Sequence, residues 1–179
     1  MAQTNQQESV WTVDSSPSLR SVTLANLRKL PQIENFSEEQ IFEMEVVGNV
    51  LPFKANNYVI EQLIDWNNVP GDSMFNLTFP QKHMLKTEHY DMMASVLKNN
   101  PDRKQIQEMA NKIRLELNPH PAGQMELNVP MLKDGTKLYG MQHKYKETTL
   151  FFPSQGQTCH AYCSFCFRWP QFVGMDEMK

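Results

Sequence analysis

Cys159, Cys163 and Cys166 are the only cysteines of this 179-residue chain, and all three fall within "TCHAYCSFCFRWPQ". The spacing, Cys-x3-Cys-x2-Cys, sets three soft donors on one short loop. Three thiolates can hold three irons of a cubane cluster, for which four is the usual protein complement. The remaining iron is then open to another ligand, and an open position is what separates a catalytic metal site from a structural one. Zinc is the competing chemistry, with His160 or His143 as fourth ligand. Zinc ribbons and knuckles usually pair their ligands as two separated couples, and no second couple exists here. His160 also adjoins Cys159, a poor bite on one ion. Incidental buried cysteines would not gather in so short a stretch. An odd number of cysteines is no disulfide framework, so a reducing cytoplasm is the expected compartment.

Such a loop needs elements to carry it. The chain is 40% hydrophobic and 21% charged, enough apolar content to bury a core. Its net charge of −3 gives no electrostatic case for nucleic acid. No apolar run reaches the ~18–20 residues that span a bilayer, and the first residues lack a secretory pattern. The twelve methionines read as adaptable core filler.

Residues 1–18 are polar and rich in Gln and Ser, and read as a loose tail. Residues 19–117 read as a helical domain. Ser37 with Gln40 forms a capping-box pattern, and Ile41, Met44, Val47 and Val50 recur at helical spacing, predicting a helix over 37–49. Tyr58, Leu63, Ile64 and Trp66 predict a second over 56–66. A third is expected over 80–98, with Pro80 at its start. A fourth is expected over 101–116, opened by Pro101. Pro and Gly recur without a period over 118–146, which reads as a connector. "ETTLFFPS" then reads as a short strand ending at Pro153, so 147–179 holds one strand and the cysteine loop.

With Phe165 as the aromatic residue before its last cysteine, this stretch resembles the signature of radical S-adenosylmethionine enzymes. The resemblance implies a [4Fe–4S] cluster on Cys159, Cys163 and Cys166. S-adenosylmethionine would chelate the open iron through its amino and carboxylate groups, and one electron would cleave it to a 5′-deoxyadenosyl radical. Phe165 would pack near the cluster and the adenine. The order of helices, "NPHP", "MQHKYKETTLFF" and cysteines further resembles the lysine 2,3-aminomutase family. That family has His-Arg-Tyr before its first barrel strand, where this chain has His143, Lys144 and Tyr145. It has three consecutive arginines after the cysteines, where this chain has Arg168 followed by Trp169, Pro170 and Gln171. By that resemblance Arg168 would pair with a substrate carboxylate, which a guanidinium fork suits. Lys144 would lie near the phosphate of pyridoxal phosphate. The bland reading of both is a solvated cation. His143 and His160 read as non-ligands, with His160 able to line the loop, and His120 reads as a turn residue.

The fold class expected is mixed: an α region, then the first strand and cluster loop of a partial (β/α) barrel that this chain does not complete. A full barrel takes about 200–250 residues, so the chain reads as an N-terminal piece, inactive alone. Its strand would lack a sheet partner, and 118–179 would be poorly held. The function implied by the resemblance is amino-group migration on an amino-acid-like substrate. A flavodoxin- or ferredoxin-type protein would donate the electron, without nucleic acid or membrane, and an oligomer is compatible. The alternatives are a zinc-binding interaction module and a non-functional remnant.

Overall fold

A computed structural model describes residues 18–118, 123, 126–151, 159–163, 169, 173 and 175. The expected tail falls outside these residues except for its last position. The described chain mixes helices with small antiparallel sheets, and no closed barrel forms among the described residues.

Strand β1 (Ser21–Thr23) pairs antiparallel with β2 (Lys54–Asn56), with Val22 opposite Ala55. Between them run 3-10 turns at Leu24–Lys29 and Pro31–Asn35 and helix α1 (Glu38–Val50). Helix α1 begins where the capping box requires: Gln40 N–H donates to Ser37 Oγ at 3.2 Å, and Gln40 Oε1 accepts from Ser37 N–H at 2.9 Å.

Residues 56–66 form no single α-helix. Asn56 ends β2, and its Oδ1 accepts from Val59 N–H at 2.9 Å. A π-helical turn follows over Val59–Leu63, and Ile64 is extended. The Trp66 indole donates to Ile60 O at 2.7 Å, folding the chain back where a continuing helix would have run on.

Helix α2 (Ser73–Thr78) was not foreseen. Asp72 caps it by accepting from Phe75 N–H at 2.7 Å. Pro80 opens no helix; it is fully buried, and Phe79 before it is extended. A 3-10 turn over Lys82–Met84 intervenes, and α3 starts only at Thr87, ending at Lys98. Helix α4 (Arg103–Leu117) opens with Asp102 as its cap. Gln105 N–H donates to Asp102 Oδ1 at 2.8 Å and Gln105 Oε1 accepts from Asp102 N–H at 2.9 Å, so Pro101 lies just outside.

The buried side chains form two clusters. One gathers Leu27, Ile33, Ile41, Met44, Phe53, Phe75 and Phe79 with β1 and β2. Phe75 and Phe79 stack at 5.0 Å, and Trp66 meets both edge-on. The other gathers Val46, Val47 and Val50 with Leu85, Tyr90 and Met93 and with Ala110 and Ile113 of α4. Helix α1 thus buries residues on two faces. Its end is held by Arg114, itself buried, whose guanidinium donates to Val50 O at 2.7 Å and Asn49 O at 3.1 Å. The last carbonyls of a helix have no partner within it, and these two find one on α4.

The strand expected around residue 147 is present as β4 (Thr148–Phe151), but it is not alone. Strand β3 (Met141–Tyr145) lies inside the expected connector and pairs with it antiparallel, Met141 opposite Phe151 and Tyr145 opposite Thr148. The ladder slips between Gln142 and Tyr145, a bulge that one period-2 pattern would not show. The expected stop at Pro153 falls outside the described residues. No helix among the described residues is long and apolar enough to cross a membrane.

Candidate functional site

Residues 159–163 cross the surface of the helical half. The His160 Nδ1 lies 2.8 Å from Lys54 O in β2. A carbonyl only accepts, so Nδ1 carries the proton and Nε2 is left free to accept or to bind a metal. Tyr162 N–H donates to Leu77 O at 2.7 Å, satisfying a carbonyl in the last turn of α2. Its hydroxyl reaches Pro52 O at 3.2 Å and Leu51 O at 3.4 Å, just past the end of α1. The ring packs against the first apolar cluster, and burial pushes its phenol well above the ordinary tyrosine range.

The flanking cysteines behave differently. Cys159 and Cys163 are exposed and are in no disulfide. Among the described residues Cys159 Sγ makes one weak contact, 3.8 Å to Ala161 O. The centre of the stretch, 160–162, is therefore docked and half-buried, and the cysteines at its two ends face solvent. The expectation that everything after 118 would be poorly held does not apply to this stretch. Its backbone and side chains are tied to β2, α2 and the turn after α1.

Cys166, Phe165 and Arg168 lie outside the described residues, as does His120. Lys144 stands in β3, its side chain not described. His143 is exposed beside it, with Nε2 3.3 Å from Lys146 O in the hairpin turn and its N–H donating to Asn128 O at 2.8 Å. The two histidines adjoin different frameworks, His160 the helical half and His143 the hairpin. Among the described residues no three His, Cys, Asp or Glu side chains gather to hold one ion; the third cysteine is not among them.

The donors present fit an iron–sulfur cluster: thiolates are its ordinary protein ligands, and these two are accessible and unpaired. Tyr162 is the site residue that sequence reading passed over. An aromatic one place before a cysteine is the signal that was available, but its acceptors are main-chain carbonyls 85 to 111 positions away. Main-chain carbonyls carry no sequence signature. No protein-family model, no curated protein and no solved structure matches this chain.

Proposed function

We propose that this chain provides the cluster loop and adjoining helical region of a radical S-adenosylmethionine enzyme acting on an amino-acid-like substrate, after the manner of lysine 2,3-aminomutase. The observation that carries the reading is the pair of exposed, unpaired thiols on Cys159 and Cys163, set at the signature spacing on a loop whose intervening residues are anchored. When bound, the cluster and S-adenosylmethionine supply one-electron cleavage of a sulfonium, and pyridoxal phosphate supplies an electron sink.

The chain's own residues do simpler things. Cys159, Cys163 and Cys166 would hold the cluster's iron as thiolates. Tyr162 covers the inner side of the loop with a ring packed on the apolar cluster, which limits water there. By the resemblance, Phe165 would pack beside the cluster, Arg168 would hold the substrate carboxylate by paired N–H donors, and Lys144 would neutralise a cofactor phosphate.

Anaerobic reconstitution with iron and sulfide tests this. The expected product is a brown protein with a reducible cluster signal in electron paramagnetic resonance, lost in Cys159→Ser and Cys163→Ser. A colourless protein that retains one zinc under the same conditions would defeat the reading. That outcome would support a zinc-held interaction module, and one observation favours it. His160 donates Nδ1–H to a backbone carbonyl, the usual bracing of a histidine that binds metal through Nε2.

A further inference from the structure

Resting on the cluster reading, the geometry points to His160 and Tyr162 as positioning residues: they brace the cysteine loop against the helical half, so that Cys159 and Cys163 meet the cluster on a backbone already set. The contacts gather at the centre of the stretch. His160 and Tyr162 turn inward to Lys54 O, Pro52 O and Leu51 O, while the cysteines on either side are exposed. His160, Ala161 and Tyr162 are all half-buried while Cys159 and Cys163 at either end are exposed, so docking the centre of the stretch leaves the two thiols at its ends facing outward. The Tyr162 amide on Leu77 O adds a main-chain tether between the two cysteines.

The acceptors do not move freely. Lys54 belongs to a paired strand, Leu77 to the last turn of α2, and Phe53, Ala55, Phe75 and Phe79 around them are buried in one cluster. A loop held on such a frame loses less freedom on binding than a free one, and its ligands are presented at a fixed angle. The helical half thereby acquires a role in the chemistry without touching it.

The test is amide hydrogen exchange at Tyr162 in the full chain, followed by cluster measurements after anaerobic loading with iron and sulfide. His160→Leu and Tyr162→Phe each remove one brace. Both should raise exchange at the Tyr162 amide roughly three- to tenfold, the effect of losing one ordinary hydrogen bond on a local opening. Amides within α1 and α4 should keep their wild-type rates. His160→Asn places an amide donor where Nδ1 stands and should restore protection to within about twofold of wild type. In loaded protein, His160→Leu should release iron to a chelator several-fold faster and shift the cluster midpoint potential, and His160→Asn should reverse both. An unprotected Tyr162 amide in wild type, or unchanged exchange in both variants, would overturn the brace. So would iron release and potential in His160→Leu identical to wild type. A protected Tyr162 amide in a wild-type protein that takes up no iron would instead overturn the cluster reading, so the two failures are distinguishable.

Discussion

Replacing Arg114 by methionine should destabilise the helical half by about 3 kcal/mol. The guanidinium is buried, and it donates to Val50 O, Asn49 O and Asn111 Oδ1 at 2.7, 3.1 and 3.1 Å. The two backbone acceptors end α1, and removing their donor leaves each to bear a desolvation cost of about 1–3 kcal/mol. Loss of a cation at a helix C-terminus adds about 0.3–2 kcal/mol. Against this stands the relief of no longer burying a charge that has no carboxylate beside it among the described residues. Burial alone already lowers the Arg114 pKa from its usual value, which gives the sign of that relief. Methionine fills most of the volume, so a cavity contributes little. Arg114→Lys keeps the charge but not the fork and should cost about half as much. Guanidinium chloride unfolding followed by circular dichroism measures both. Arg114→Met within about 1 kcal/mol of wild type at unchanged slope would refute the claim that α4 terminates α1 through this side chain, as would equal losses in the two variants.

Other substitutions probe the same framework. Phe75→Ala should cost about 3–5 kcal/mol, because it empties the centre of the ring stack with Phe79, Trp66 and Phe36; thermal unfolding reads it directly. Gly48→Ala should gain none of the ~1 kcal/mol usual for that exchange inside a helix, since the added carbon would stand 2.8 Å from Leu24 Cδ1. A clear stabilisation in chemical denaturation would contradict that contact. His89 is buried with Nε2 on Glu116 Oε2 at 3.1 Å and Nδ1 without a partner among the described residues. His89→Leu frees the half-exposed Glu116 carboxylate to water and removes the orphan nitrogen, so it should cost less than about 1 kcal/mol by urea titration. Burial, and after it Glu43, raise the Tyr90 phenol. The neutral phenol is therefore the form the fold favours. Its contribution is whole below the unfolded value of about 10 and declines as pH rises through the folded value. Phenolate absorbance followed against pH, with Tyr90→Phe as control, should show one late-titrating tyrosine removed.

Local signals in this sequence were legible where a side chain answers its own backbone. Ser37 with Gln40 located α1 almost to the residue, whereas α4 was read as opening at Pro101 and its actual capping box, Asp102 with Gln105, was passed over. The third helix was expected to run from Pro80. Leu85 and Met93 do share a cluster, but burial of Phe79 and Pro80 draws the chain into an extended passage, delaying α3 to Thr87. Tertiary packing outweighed periodicity there, and again at Trp66, whose indole takes Ile60 O. Strand β4 was read from its β-branched residues, whereas its partner β3, "MQHKY", has no alternation to announce it and is known only by the pairing. The cysteine spacing named the donors at once. What braces them, His160 on Lys54 O and Tyr162 on Leu77 O, depends on main-chain atoms brought near by the whole helical half.

Helix α1 is common property of both apolar clusters, with Ile41 and Met44 committed to one and Val46, Val47 and Val50 to the other. A cluster that dissolves strips the helix of part of its packing, and the helix cannot leave without opening both. Heat should therefore take residues 21–117 apart in a single calorimetric step, with no half-melted species in which one cluster outlives the other.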